Sequence, residues 1–408
     1  MQRRAVITGI GVVSASGIGK EAFWKSVANG ISGIKKITFF ETAHLRSHIA
    51  GEITEFDPLN YLEKKEIRDI DRCGQLAIAA VSEAVQDSGF LPDEDTGIVV
   101  GTGLGGITTD NLQHENYYTK GYRFVSPMTI PMSMYNAPEC YISQRYGLKG
   151  EGITVTTACS SGANAVGEAS RLIAQGVADS VICGGVDATL SQAIFTAWAS
   201  MRILSRRNET PASACRPYSM ERDGMVLGEG AAFFIVEELS KAASRSAIIY
   251  AEITGYATSH DADHITAPNL GGQVKAIKKA LSAAALSPEE IDYVSGHGTG
   301  TALNDKVETE AIKSVFGETA YKTPISSIKP IIGHTLGASG ALGIAASCLS
   351  IRDNLVPPTI NYNASDPECD LDYVPNIARK KEVNTAMCNS FAFGGNNAVL
   401  IIKRYASD

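Results

Sequence analysis

The chain has 408 residues, 44% of them hydrophobic and 20% charged, and a formal net charge of −8. That length allows a large core and more than one domain-sized unit. The acidic balance argues against general affinity for nucleic acid or an anionic membrane, but leaves room for a local basic patch facing an acidic partner.

The chain begins with Met1-Gln-Arg-Arg-Ala-Val-Ile-Thr-Gly9, which runs straight into a strand pattern without the apolar core of a signal peptide. No later run is apolar enough to span a membrane, so a cytoplasmic protein is expected. Gly9 and Gly11 fit the first two places of a dinucleotide-binding G-x-G-x-x-G, but Ser14 holds the third, and a plain strand-end turn is the better reading. Helical periodicity follows at 20–29 and 71–88. Between them lies a polar stretch with Lys64, Lys65, Arg68 and Arg72. A hydrophobic strand at 95–106 ends in glycines, and the segment to about residue 138 reads as loop and short helix.

Next comes Ile153-Thr-Val-Thr-Thr-Ala-Cys159-Ser-Ser-Gly162, a β-branched strand, a turn of small residues and a helix start. Cys159 thus sits at a helix N-terminus, where unpaired N–H groups and the positive dipole end favour thiolate over thiol. A further buried strand spans 180–185, and residues 191–230 read as polar and irregular. The eight cysteines are scattered without C-x-x-C or zinc-like spacing, which fits free thiols in a reducing compartment.

The second part repeats this order of elements. The stretch 291–301, with His297-Gly-Thr-Gly-Thr301, parallels the glycine-ended strand at 95–106. The stretch 324–341, with Lys329 and His334, parallels the cysteine stretch, and 386–400 parallels the strand around Cys183. A duplicated α/β unit with a break near 240–250 explains the echo. In such sheets ligands bind beyond the carboxyl ends of strands, where Cys159, His297 and His334 all lie. A zinc site of one cysteine and two histidines lacks a fourth ligand at a comparable turn, and no metal is expected. Thioester chemistry suits the set better: a sulfur that accepts an acyl group, with two imidazoles polarising a second carbonyl.

Thr157-Ala-Cys159-Ser-Ser-Gly162, His297-Gly-Thr-Gly-Thr301, Lys329 five residues before His334 in Gly333-His-Thr-Leu-Gly-Ala-Ser-Gly340, and Asn389-Ser-Phe-Ala-Phe-Gly-Gly395 occur in one order along the whole chain. In these motifs the sequence resembles the elongating β-ketoacyl-acyl carrier protein synthases of the thiolase superfamily. The resemblance implies an α/β thiolase-like fold: two duplicated βαβ halves, 1–245 and 246–408, in a five-layered αβαβα arrangement, usually dimeric. It implies decarboxylative Claisen condensation on substrates carried by the phosphopantetheine arm of an acyl carrier protein, with no further cofactor.

Carried over residue by residue, Cys159 would hold the acyl chain, and the N–H groups of Cys159 and Phe393 would form its oxyanion hole. His297 and His334 would hold the malonyl thioester while carbon dioxide leaves, with electrostatic support from Lys329. Thr299 and Thr301 would contact the pantetheine, Phe393 would gate access, and Leu104, Trp198 and Phe391 would line the substrate site. Lys64, Lys65, Arg68, Arg206 and Arg207 would meet the carrier protein.

Several positions depart from the family pattern. Ala392 stands between the two phenylalanines where glycine is common, and Asn396 replaces a usual threonine. Gly343 replaces a glutamate near the lysine, Trp198 replaces phenylalanine, and 126–131 lacks paired aromatics. These changes suit a specialised polyketide or polyene ketosynthase, either a homodimer or one paired with a chain-length-factor-like subunit. The alternatives are a thiolase, with Cys388 as second cysteine, a silent chain-measuring subunit, or an NAD-dependent oxidoreductase.

Overall fold

The computed structural model describes residues 3–406. Its main strands form two copies of one five-strand unit. The first comprises β1 (Ala5–Ser14), β2 (Gly97–Gly101), β3 (Gly152–Val155), β4 (Ser180–Asp187) and β5 (Gly230–Glu238), in the order β1-β5-β4-β2-β3. The second comprises β6 (Ala251–His260), β7 (Tyr293–Ser295), β8 (Ile325–Ser326), β9 (Thr385–Phe391) and β10 (Asn396–Lys403), in the matching order β6-β10-β9-β7-β8. Directions match as well. β2 runs parallel to β3 and β4, as β7 does to β8 and β9, and the remaining pairings are antiparallel. The two units join where Ala5, Val6 and Ile7 pair antiparallel with Ile253, Glu252 and Ala251.

The helices that matter are α1 (Arg72–Ser88), α2 (Ile107–Lys120), α3 (Ser161–Ala174), α4 (Gln192–Ser200), α5 (Leu270–Ala284), α6 (Ala302–Phe316) and α7 (Ser339–Asp353). α3 and α7 pack on each other between the sheets, α1 covers the outer face of the first sheet, and α5 and α6 cover the second. Strand alternation shows the layering. In β5, Phe234 and Val236 face the central core while Phe233 and Ile235 face α1. In β10, Leu400 and Ile402 face inward while Val399 and Ile401 face α5 and α6. This is the five-layered αβαβα arrangement of the thiolase-like fold.

Small residues set the spacing of the central layer. A Cβ on Gly340 would lie 2.7 Å from the Ala163 side chain, so the starts of α3 and α7 touch only because glycine stands there. The N-terminal glycines serve the same end. Gly9 and Gly11 lie within β1 and not in the strand-end turn expected for them, and a Cβ on Gly11 would sit 1.9 Å from the Ala80 carbonyl oxygen, so α1 packs directly on the strand and leaves no room for a nucleotide there.

Two expectations change. The segment after residue 106 begins with the fourteen-residue helix α2, whose weak period reflects its burying only Thr109. The stretch 191–230 carries α4, capped by Ser191 Oγ on the Ile194 N–H. Nine residues, six of them apolar and only Phe195 buried, show no one-sided pattern for a periodicity reading to find.

Candidate active site

The turn that carries Cys159 is built by a local device that occurs twice. Ser161 Oγ accepts the Thr157 N–H at 2.9 Å, and Ser339 Oγ accepts the Thr335 N–H at 3.0 Å. Ala158 and Leu336 both adopt left-handed backbone, with φ of +52° and +47°. Each such residue costs about 1–2 kcal/mol, so the surrounding packing must enforce it. Thr157-Ala-Cys159-Ser-Ser161-Gly-Ala therefore matches Thr335-Leu-Gly337-Ala-Ser339-Gly-Ala. The counterpart of Cys159 is Gly337, and that of His334 is Thr156, so the duplicated frame carries an asymmetric site.

His297 follows β7 as Gly103 follows β2, and its turn is fixed by two buried carboxylates from α6. Glu308 accepts the N–H of His297 at 2.7 Å and of Gly298 at 2.8 Å. Asp305 accepts those of Thr299 at 3.0 Å and Gly300 at 3.2 Å. Tyr218, stacked on Tyr373 with ring centroids 4.0 Å apart, gives its hydroxyl to Glu308 and its N–H to Asp305. Burial pushes the Asp305 carboxyl up to about 6. Lys329 opens the short helix Lys329–Ile332, and its ammonium reaches the His297 carbonyl oxygen and lies 3.5 Å from His297 Nδ1.

The three turns converge. The His297 and His334 rings stand 5.5 Å apart at 84°, and Ser339 Oγ lies 2.8 Å from His334 Nδ1. A cavity of about 320 Å³ is lined by Cys159, both histidines, Thr299, Thr301 and Phe393 among others. The Phe393 ring stacks on Trp198 at 5.7 Å and 29°, and Phe391 stands 6.2 Å from the His297 ring. Leu104 packs against the apolar cluster around Cys159. Ala392 is extended, with φ −114°, a conformation any residue adopts, so it introduces no strain into the turn.

Electrostatics correct one expectation. Burial raises the Cys159 thiol to about 11. The Lys329 charge, the Phe393 N–H and the Cys159 N–H pull it down without overcoming desolvation. The resting group is a thiol, because the cost of a buried anion exceeds the help of one helix end. Burial, reinforced by the Lys329 charge, holds both His297 and His334 well below the ordinary histidine range, so both rings are neutral.

The remaining candidates are dispersed. Cys388 lies in β9 with its sulfur on Ser347 Oγ, outside the cavity of Cys159. Lys64, Lys65 and Arg68 are exposed, but Lys65 pairs with Glu63 and Arg68 with Asp69. Arg207 is turned to the Glu221 carbonyl and Asp223, whereas Arg206 joins Arg46 and Arg202 around a separate open pocket of about 190 Å³. Gly343 leaves open space near Lys329: a Cβ there would meet only Ser295 Oγ, at 3.3 Å. The sequence reading passed over Asp305, Glu308, Tyr218 and Ser339. The acidic pair three residues apart, directly after the His297 turn, was the available signal.

Comparison with known proteins decides the family. Residues 2–242 match the Beta-ketoacyl synthase N-terminal domain and residues 250–363 the Beta-ketoacyl synthase C-terminal domain. The chain belongs to the β-ketoacyl synthase family. This ketosynthase is 42% identical over 409 residues to 3-oxoacyl-[acyl-carrier-protein] synthase 2 of Coxiella burnetii, covering 99% of each chain. It is 40% identical over 410 residues to the Synechocystis protein of the same name, again covering 99% of each. Among solved structures, the ishigamide ketosynthase/chain length factor matches with a TM-score of 0.94 at 35% identity, covering 100% of each chain. A type II polyketide ketosynthase in complex with its acyl-carrier protein, AntDE:AntF, matches at 0.92 and 32%, covering 99% of this ketosynthase and 100% of that chain. Among the described residues no helix is long and apolar enough to cross a membrane.

Proposed function

We propose that this chain is a β-ketoacyl-acyl carrier protein synthase, an acyltransferase that extends a carrier-bound chain by two carbons. The observation that carries the reading is one cavity holding a helix-start thiol and two neutral imidazoles. In the first half-reaction the Cys159 sulfur attacks the acyl thioester carbonyl, the oxyanion rests on the N–H groups of Cys159 and Phe393, and the carrier thiol leaves with the cysteine proton.

In the second half-reaction the malonyl thioester oxygen lies between the two rings. The Lys329 ammonium donates to His297 Nδ1 and the Ser339 hydroxyl to His334 Nδ1, which puts both ring protons on Nε2, facing substrate. Carbon dioxide departs, its bonding pair forms the enolate held by those N–H groups, and the enolate carbon attacks the acyl-Cys159 carbonyl. The sulfur leaves as thiolate. That thiolate takes a proton from water and returns to the resting thiol, ready for the next acyl chain.

The open pocket of Arg46, Arg202 and Arg206 supports an acidic carrier protein as partner better than the Lys64, Lys65 and Arg68 cluster does, because its three arginines face one carboxylate, Asp223, whereas Lys65 and Arg68 are each paired with a carboxylate of their own. β3 has an open edge, and α2 and the residues after it expose Leu112, Tyr118, Tyr122, Phe124 and Ile130. An apolar face of this kind supports a dimer with a second thiolase-fold subunit. Eight free thiols suit a reducing cytoplasm. Trp198 over Phe393 narrows the mouth and favours a flat, unsaturated chain, as in polyene synthesis. The test incubates the protein with acyl- and malonyl-carrier protein. An acyl adduct on Cys159 and a product two carbons longer are expected. Activity with acetyl-CoA alone overturns the reading in favour of a thiolase.

A further inference from the structure

One buried carboxylate in the N-terminal half touches none of the reacting groups above, although its charge adds to the rise of the Cys159 thiol. Asp187, at the end of β4, is fully buried, and its hydrogen-bond partners are a hydroxyl and three backbone N–H groups, none of them charged. Its oxygens take the Thr102 hydroxyl at 2.8 Å, the Gly103 N–H at 2.9 Å, the Leu104 N–H at 3.1 Å and the Gly337 N–H at 2.5 Å. The donors come from two turns, one in each half of the molecule. One carries Leu104 at the Cys159 cluster, and the other begins with His334.

The internal duplication gives this contact its meaning. Gly337 N–H is the counterpart of the Cys159 N–H, which helps to pull the cysteine thiol down. In the second copy the same N–H is occupied by an internal anion. The two turns are in contact, because a Cβ on Gly337 would lie 2.4 Å from the Gly103 nitrogen. Holding a carboxylate without a cation out of water is costly, and it is kept there because an apolar side chain would leave three backbone N–H groups and a threonine hydroxyl, from both turns, without an acceptor.

We propose that Asp187 is a positioning residue of the condensation site. By gripping both turns it fixes the His334 turn relative to Leu104 in the apolar cluster around Cys159, so that the enolate and the acyl-cysteine meet in register. This rests on the ketosynthase reading above.

The test uses the full-length D187N, D187A and D187E proteins, with activity expressed per Cys159 titrated by iodoacetamide so that unfolded protein does not count. In D187N, kcat for condensation is expected to fall about tenfold to a hundredfold, while KM for malonyl-carrier protein stays within about twofold. The preference among saturated acyl donors of graded length should shift, and D187E, which keeps the anion, should recover part of the kcat. Wild-type kcat and donor preference in D187N overturn the proposal. So does a loss confined to the amount of titratable Cys159, or a D187E as poor as D187A. Failure of the wild-type protein to extend any chain would instead count against the ketosynthase reading.

Discussion

Lys329 and His297 are joined twice: the ammonium is bonded to the His297 carbonyl oxygen and faces its Nδ1 at 3.5 Å. One buried cation thereby orients the ring, adds to the burial that keeps it neutral, and offsets part of the rise of the Cys159 thiol. Burial pulls the Lys329 ammonium itself downward, and the Glu308 charge is the leading influence that holds it up.

Removing that cation should separate these effects. In Lys329→Met the thiol loses the charge that lowers it, so its alkylation by iodoacetamide at fixed pH should slow, by about tenfold for each unit the thiol rises. Malonyl decarboxylation should fall with it, as His297 loses its orienting donor. Unchanged alkylation would show that the Lys329 charge does not reach the sulfur.

Because the Cys159 thiol is pushed up to about 11, its reaction with iodoacetamide in the wild type should keep accelerating through pH 9 and 10. A cysteine ionised by its helix end would instead plateau near neutrality. A rate profile across pH 6 to 10 distinguishes the two.

His334 should make the fold sensitive to acid. In the unfolded chain its imidazole titrates near 6.5, and in the folded chain well below that. As pH falls below about 6.5 the unfolded chain takes a proton that the folded chain refuses, and stability is lost at up to about 1.4 kcal/mol per pH unit. His334→Asn should therefore gain stability relative to wild type on acidification and show no such gain above pH 7. Denaturant melts at several pH values measure the difference.

Glu308→Gln replaces an acceptor of two backbone N–H groups with an amide that turns a donor toward one of them, at a cost of about 1–3 kcal/mol. Acyl transfer to Cys159 should survive and malonyl decarboxylation should collapse, because the disturbed turn carries His297. Adduct mass and carbon dioxide release report the two steps separately.

Trp198→Ala removes the ring stacked on Phe393, a contact worth about 0.5–1.5 kcal/mol. With the Phe393 turn released, carbon dioxide should be lost without matching chain extension. The ratio of the two products checks this.

The sequence by itself determined the duplicated order of strands and helices and the three turns bearing Cys159, His297 and His334. Both are written in local patterns: β-branched runs, glycine turns and small-residue helix starts. What only the tertiary structure decided was the charge state of those groups and the partners that set it. Cys159 reads as an activated thiolate from its helix start, yet it is a thiol, because desolvation depends on everything packed around the sulfur. Asp305 and Glu308 are two acidic residues in the chain after the His297 turn, and only the fold brings them under its N–H groups. Asp187 lies beyond the strand that the sequence shows at 180–185, and only the fold brings Gly337, 150 positions away, to donate to it. Burial and long-range hydrogen bonds depend on distances between segments far apart in sequence, and no local pattern encodes them.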